Sequence, residues 1–207
     1  MNYTTEQEKF WASQEWAQAY IQRNDHKFVR NNIALFSKIL NSTRGIGSMI
    51  EFGSNIGLNL IALKQLVPDM TIDAIEINPI ACEELQKLNF LNKIYNDSIL
   101  EIDLKSTYDL VLIKGVLIHI NPDFLDTVYE KLYNASNKYI VVAEYYNPTP
   151  VSIDYRGHKD KLFKRDFAGE MMEKFSDLKL LDYGFVYHKD NNFPQDDTTW
   201  FLLEKVN

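Results

Sequence analysis

The stretch EFGSNIG, residues 51–57, decides the fold of this 207-residue chain. It closes a short apolar run that reads as a strand, residues 49–52. Gly53 and Gly57 follow, and residues 58–66 then carry apolar side chains at helical spacing. Glycines between a strand and a helix permit a tight turn and let a ligand approach the backbone closely. The stretch predicts a strand–turn–helix unit with a ligand at the turn, although a purely structural turn is the alternative.

The same loop limits the chemistry of that ligand. Asn55 stands where the dinucleotide-binding pattern G-x-G-x-x-G has its middle glycine, and the loop lacks the lysine of a phosphate-binding loop. The pattern therefore favours a ligand without a pyrophosphate.

Outward from this loop, strand and helix patterns alternate. Further strands are predicted at 71–77, 95–99, 109–114 and 138–145, and helices at 58–66, from Ile80 onward and at 122–135. This alternation is typical of a mostly parallel sheet with helices on both faces. Residues 147–166 have no clear period, and a helix follows at 166–175. Two last strands, 179–186 and 198–205, are joined by a loop too short for a crossover helix and should be antiparallel.

The first 41 residues read as a helical prefix to a core at 42–207, within a single domain of 1–207. Apolar and aromatic side chains recur at helical spacing in two stretches of this prefix. The prefix can pack against the core, form a lid over the ligand or provide the surface of a homodimer. The polar and aromatic residues concerned are Trp11, Trp16, Tyr20 and Arg23.

Composition excludes several classes of function. A net charge of -7 argues against nucleic acid as a partner, and Cys82, the single cysteine, excludes disulfides and multi-cysteine zinc sites. No apolar run reaches membrane-spanning length, because Lys114 and His119 interrupt the longest one. The start of the chain lacks the pattern of a signal peptide, so we expect a cytoplasmic protein. We expect no metal, since Asp196 and Asp197 form the only close carboxylate pair outside a helix.

Polar residues also follow the second and third predicted strands. Glu76 closes the second strand, where a carboxylate can accept hydrogen bonds from both hydroxyls of a ribose. Asp97 and Ser98 close the third strand and can bind the edge of an adenine. Ordinary strand-end and turn residues are the alternatives. In an open α/β sheet, the carboxyl ends of the strands form the edge that binds ligands.

The segments EFGSNIGLNL (51–60), AIEIN (74–78), NDSI (96–99) and DLVLIKGVLIHI (109–120) resemble the class I methyltransferases that use S-adenosylmethionine. The resemblance implies a Rossmann-like, seven-stranded, mostly parallel sheet with its last strand antiparallel. It also implies that the first loop holds the methionine portion, Glu76 the ribose and Asp97 with Ser98 the adenine. The predicted cofactor-binding residues are Glu51, Gly53, Ser54, Asn55, Gly57, Glu76, Ile77, Asp97, Ser98 and Lys114.

The downstream half carries a narrower resemblance. KGVLIHINP (114–122), AEYYNPTP (143–150), YRGHKDKLFKRDFAGE (155–170), DYGFVYHKD (182–190) and FPQDDTTWFLLEK (193–205) resemble methyltransferases encoded among genes for pseudaminic acid and related nonulosonic sugars. This resemblance implies a sugar of surface glycan assembly, free or nucleotide-linked, as the methyl acceptor.

Acceptor-side residues follow the fourth and fifth strands and the charged loop beyond them. His119 suits a general base by its ordinary pKa near 6.5, and Arg in the basic cluster of 156–165 suits a carboxylate or phosphate. A structural histidine, rim aromatics and a solvated charged face are the alternatives. The predicted catalytic residues are His119, Glu144, Tyr146 and His158; the predicted substrate-binding residues are Tyr145, Asn147, Arg156, Arg165 and His188.

Three functions remain open on the sequence. The first is an O- or N-methyltransferase of a small polar acceptor, as the sugar resemblance implies. The second is an N-methyltransferase of an amine, amidine or guanidine, with acids binding the cation: Glu144, Asp166, Asp190, Asp196 and Asp197. The third is a cofactor-binding domain without catalytic activity.

Overall fold

The computed structural model describes residues 3–15, 18, 26–155 and 157–206. The chain forms two compact units, residues 1–103 (unit 1) and 104–207 (unit 2). Trp16, Tyr20, Arg23 and Arg156 lie outside the described residues.

Unit 1 alternates helices and strands after a helical start. Its elements are α1 Glu6–Trp11, α2 His26–Leu40, β1 Ser48–Phe52, α3 Leu58–Leu66, β2 Thr71–Glu76, α4 Pro79–Gln86 and β3 Leu91–Asn96.

Unit 2 begins with a strand and contains a separate hairpin. Its elements are β4 Tyr108–Lys114, 3₁₀ turns Leu117–His119 and Pro122–Phe124, α5 Leu125–Ala135, β5 Ser136–Glu144, β6 Val151–Tyr155, β7 His158–Lys164, α6 Phe167–Lys174, β8 Leu178–Val186 and β9 Thr198–Lys205.

Seven strands form one sheet in the order β3-β2-β1-β4-β5-β9-β8, and β6 pairs with β7 in a sheet of two. Strands β1 and β2, β2 and β3, and β4 and β5 pair in parallel. Strand β9 runs antiparallel to both β5 and β8. The predicted fold class, a mostly parallel seven-stranded sheet with its last strand antiparallel, is confirmed.

Local sequence explains where the central elements begin and end. Strand β2 buries five of its six residues, and β5 is buried over its last six, as strands covered on both faces must be. Helix α4 begins at Pro79, where the missing N–H costs nothing, and the Asn78 side chain accepts hydrogen bonds from the N–H groups of Ile80 and Ala81.

The structure differs from the sequence-based expectations at two places. The third strand lies at Leu91–Asn96 rather than 95–99, because only half of its side chains are shielded and the apolar pattern there is weak. Residues 147–166, for which the sequence shows no clear period and predicts no element, contain the β6–β7 hairpin. All five residues of β6 are exposed or half-buried and β7 buries only Leu162 among its described residues, so the hairpin has no continuous buried face to produce an alternating pattern.

Among the described residues, no helix has the length and apolar character that crossing a bilayer requires.

Candidate functional site

The loop between β1 and α3 depends on left-handed backbone. Gly53 and Gly57 have φ angles of 78° and 80°, and Asn55 has a φ of 47°. Asparagine is one of the few non-glycine residues that adopt this conformation readily. A Cβ at Gly57 would lie 2.5 Å from Cδ1 of Leu88 and 2.9 Å from Cδ2 of Leu85, so a larger residue there requires these side chains to shift.

A buried carboxylate at the end of β2 holds this loop in place. Glu76 is 7% exposed, and its Oε2 accepts a hydrogen bond from the N–H of Asn55 at 2.7 Å. Its Oε1 accepts from the N–H of Asn78 at 2.8 Å. Burial raises the pKa of Glu76, while these backbone donors and that of Ile77 oppose the rise. Glu76 therefore joins the glycine loop to the start of α4.

Two further contacts fix the loop against the strands. The N–H groups of Gly53 and Ser54 both donate to the carbonyl of Ile75 on β2, at 3.0 and 2.9 Å. Glu51 at the end of β1 is fully buried, and its Oε1 accepts from Nδ2 of Asn59 on α3 at 2.7 Å. Asn59, the second residue of α3, was not predicted, and no local sequence pattern marks its pairing with Glu51.

One polar atom of the loop is available to a ligand. Oδ1 of Asn55 is buried and has no hydrogen-bond partner among the described residues. A buried amide oxygen without a donor is costly, so it suits a ligand that brings an N–H or O–H group.

Helix α1 is anchored at the ends of β2 and β3. Thr5 and Glu8 form a capping box at its start, and the buried Glu8 accepts a short hydrogen bond from Oγ of Ser98. Nδ2 of Asn78 donates to the carbonyls of Trp11 and Ser13, at 3.0 and 2.9 Å. The sequence analysis missed Glu8 and Asn78 as anchors, although the T-x-x-E spacing of residues 5–8 is a capping-box signal.

These contacts change what Ser98 can do. Its hydroxyl donates to Glu8 and accepts from the N–H of Leu100 at 3.0 Å, and its own N–H donates to Oδ1 of Asp97 at 2.8 Å. The side chain of Ser98 is thus occupied within the protein, whereas Asp97 is half-buried at the end of β3.

Unit 2 buries a carboxylate at the end of β5. Glu144 is 3% exposed, and its Oε1 accepts from the N–H groups of Val116 and Leu117, both at 2.9 Å. Its Oε2 is buried without a hydrogen-bond partner in the described part of the chain. Burial raises the pKa of Glu144 to about 7, against these donors and the charge of Lys114, which is half-buried at the end of β4.

His119 lies at the end of the turn that Glu144 holds. Its Nδ1 is 2.6 Å from the carbonyl oxygen of Lys161 on β7, and its ring meets that of Tyr155 edge-on at 5.2 Å. Because a carbonyl only accepts, Nδ1 carries the proton and Nε2 carries the lone pair. Burial lowers the pKa of His119 to about 4, so the ring is neutral at pH 7.

The residues after β5 occupy partly exposed positions. Tyr145 is half-buried beneath Nζ of Lys164, which lies 5.1 Å from the ring centroid, and burial raises the pKa of its hydroxyl. Tyr146 is 41% exposed and faces Phe201 at 5.9 Å between ring centroids. Nδ2 of Asn147 donates to the carbonyl of Thr149 at 2.6 Å.

Arg165, predicted to bind substrate, is held inside unit 2. Its Nε donates to Oε1 of Glu170 at 2.7 Å, and Oε2 of Glu170 accepts from the hydroxyl of Tyr129. His158 is exposed on β7. His188 contacts Asp197 at 2.8 Å, and both side chains are about half exposed.

No group of three or more His, Cys, Asp or Glu side chains suited to a metal ion occurs in the described ranges. In the Asp196–Asp197 pair, Asp197 forms hydrogen bonds with His188 instead. Its Oδ1 accepts from the backbone N–H of His188 and lies 2.9 Å from Nδ1 of the ring.

Comparison with known proteins identifies the fold. No family model matches the sequence, and no curated protein sequence matches it significantly. The 1,6-didemethyltoxoflavin-N1-methyltransferase of Burkholderia thailandensis, solved with bound 1,6-didemethyltoxoflavin and S-adenosylhomocysteine, has a TM-score of 0.70 and 13% identity, over 97% of this chain and 87% of that one.

Two other solved structures are similar over nearly the whole chain. The plantazolicin methyltransferase BpumL, in complex with S-adenosylhomocysteine, has a TM-score of 0.68 and 12% identity over 97% of this chain and 94% of that one. Magnesium protoporphyrin IX methyltransferase from Synechocystis PCC 6803, with S-adenosylmethionine bound, has a TM-score of 0.64 and 13% identity over 99% of this chain and 100% of that one. At these identities the likeness concerns the fold: the chain has the Rossmann-like fold of class I methyltransferases.

Proposed function

We propose that the protein is an S-adenosylmethionine-dependent methyltransferase of a small polar acceptor. The observation that carries this proposal is Glu76, a buried carboxylate at the end of β2 whose Oε2 accepts from the N–H of Asn55 and whose Oε1 accepts from the N–H of Asn78. Each carboxylate oxygen has a second acceptor position, so the pair suits the two hydroxyls of a ribose.

The glycine loop fits the remainder of such a cofactor. Gly57 keeps the start of α3 free of a side chain, and the buried Oδ1 of Asn55 suits the ammonium group of the methionine portion. Glu51, fully buried at the end of β1, lies beside the same loop and accepts a hydrogen bond from Asn59. We assign the adenine contact to Asp97 rather than to the hydroxyl of Ser98, because Glu8 and Leu100 occupy that hydroxyl.

When bound, the cofactor supplies a methyl group on a positively charged sulfur, which reacts by in-line displacement. The residues of the chain then have to position the acceptor, exclude water and remove a proton where the acceptor carries one. As acceptor-side residues we propose Glu144, the last residue of β5, with Tyr145 directly after it and His119 in the turn after β4.

We propose a sugar of the nonulosonic type, free or nucleotide-linked, as the acceptor. This choice rests on the resemblance of residues 114–205 to methyltransferases of that context. The basic character of the hairpin supports it, because residues 151–165 hold five Lys and Arg against two Asp. The alternative, an amine acceptor, is distinguished by where a labelled methyl group appears.

Calorimetric titration with S-adenosylhomocysteine tests the cofactor assignment. Glu76→Gln replaces a charged acceptor by an amide, and we expect its affinity to fall about 10- to 100-fold, since hydrogen bonds to charged groups are worth about 1.5–3 kcal/mol. Asp73→Asn is the matched control, because Asp73 is also buried on β2 but receives a hydrogen bond from Asn92. Equal losses in both variants, or no binding to the wild type, refute the assignment.

A further inference from the structure

The carboxylate of Glu144 is satisfied on one side only. Oε1 accepts two backbone hydrogen bonds, whereas Oε2 is buried and has no hydrogen-bond partner among the residues that the structure describes. A buried carboxylate oxygen without a donor costs free energy that folding alone does not recover. Such an oxygen indicates a group from outside the chain.

The backbone turn after β4 fixes the orientation of the Glu144 carboxyl group. Gly115 has a left-handed φ of 66°, and its N–H donates to the carbonyl of Ala143 on β5. The turn directs the next two N–H groups, those of Val116 and Leu117, toward Oε1 of Glu144. The carboxyl group is therefore fixed in orientation before any ligand binds, which is the condition for efficient proton transfer.

Burial and the charged groups around Glu144 bring the pKa of its carboxyl group near neutral pH. Lys114 on the neighbouring strand favours the ionised form, and burial opposes it more strongly, which brings the pKa to about 7. Tyr145 follows directly and stays protonated, because burial and the acids Glu144, Asp196 and Asp197 raise its pKa. Thr199, opposite Glu144 on β9, carries no charge.

His119 is the competing base in unit 2, and the structure disfavours it. With a pKa of about 4 against about 7 for Glu144, its ring is roughly a thousandfold weaker as a base. Its Nδ1 is committed to the carbonyl of Lys161, which links the turn after β4 to the hairpin. His119 is better described as a positioning residue for the hairpin.

We propose that Oε2 of Glu144 is the base that removes the proton of the acceptor hydroxyl. The inference rests on the proposed methyltransferase function and names the residue that performs its proton transfer. The acceptor oxygen forms a bond to the methyl carbon, and the sulfonium sulfur keeps the electron pair of the broken carbon–sulfur bond. The hydroxyl proton passes to Oε2 of Glu144. Glu144 then releases this proton to water when the product leaves.

The test compares Glu144→Gln with Glu173→Gln, an exposed carboxylate on α6 that serves as the matched control. Transfer of a labelled methyl group from S-adenosylmethionine is followed from pH 5.5 to 8.5. The acceptor probes are N-acetylneuraminic acid, its cytidine monophosphate conjugate and the small-molecule fraction of a cell extract. S-adenosylhomocysteine affinity is measured in parallel, as is the infrared carbonyl band of a protonated carboxyl group.

We expect Glu144→Gln to lose at least about 100-fold in transfer rate and to keep the wild-type affinity for S-adenosylhomocysteine. The wild-type rate should fall about tenfold per pH unit below 7, and the infrared band should disappear with a midpoint near 7 and be absent in the variant. A variant that keeps the wild-type rate overturns the proposal, as does one that loses cofactor affinity together with rate. No transfer by the wild type to any probe overturns the methyltransferase function itself.

Discussion

Single backbone angles define the glycine loop. Gly57 combines a left-handed φ of 80° with side chains of Leu85 and Leu88 within 3 Å of any added Cβ. We expect Gly57→Ala to lose about 1–3 kcal/mol more of the free energy of unfolding than Gly157→Ala, which shares the left-handed φ but faces open space. Urea unfolding measures both. Equal losses would mean that Leu88 and Leu85 move aside without cost.

Glu144 should make stability fall with rising pH. Its pKa is about 7 in the folded chain and 4.5 in a model compound, so between these values the native state binds more protons than the unfolded state. The free energy of unfolding then decreases as pH rises from about 4.5 to 7, by about 3 kcal/mol in all.

Subtracting the profile of Glu144→Gln isolates this contribution from other titrating groups. Chemical unfolding of both proteins at pH 5, 6, 7 and 8 measures the difference. A difference that does not change over this range would contradict a desolvated carboxylate.

At the scale of elements, α1 is held in place by the buried side chain of Glu8. Glu8 accepts hydrogen bonds from the N–H groups of Thr4 and Thr5 and from the hydroxyls of Thr5 and Ser98. We expect Glu8→Gln to cost about 1–3 kcal/mol, because buried charge-assisted hydrogen bonds are lost. Glu6→Gln, on the same helix, removes an exposed ion pair with Lys9 and should cost less than about 1 kcal/mol.

The role of the prefix as a lid stays a proposal that this pair of variants also tests. If α1 covers the bound cofactor, Glu8→Gln lowers the affinity for S-adenosylhomocysteine, whereas Glu6→Gln leaves it unchanged. Calorimetry at constant pH gives both affinities. Loss of stability with unchanged affinity would assign α1 a packing role alone.

How far the sequence predicts the elements depends on burial. Helix Leu58–Leu66 and strand Thr198–Lys205 match their predicted bounds, because packing on the sheet imposes a clear period. Strand β3 and the β6–β7 hairpin lack a fully buried face, so their sequences carry no such period. Side-chain contacts distant in sequence, such as that of Glu8 with Ser98, leave no local pattern at all.

For the whole molecule, the net charge of -7 conceals an uneven distribution. Acidic side chains close β1, β2 and β5, whereas the hairpin carries an excess of Lys and Arg. We expect no retention of a random DNA duplex in a filter-binding assay at 150 mM salt, since phosphate binding needs a larger basic surface. Retention that weakens steeply with salt would contradict this expectation.

The predicted single domain also belongs to this scale. The chain divides into two compact units, whereas the similar solved structures extend over nearly the whole chain. The prediction of one domain stays a prediction, which a single cooperative unfolding transition followed by fluorescence and circular dichroism would support.

The most direct test of the central claim is transfer of an isotopically labelled methyl group from S-adenosylmethionine to a small molecule. The purified chain is incubated with the labelled cofactor and a set of nonulosonic acids, nucleotide-linked sugars and amines, and products are located by mass spectrometry. The account predicts label on a sugar hydroxyl, accumulation of S-adenosylhomocysteine and loss of both in Glu76→Gln. Absence of label in every small molecule, with no S-adenosylhomocysteine formed, would contradict it.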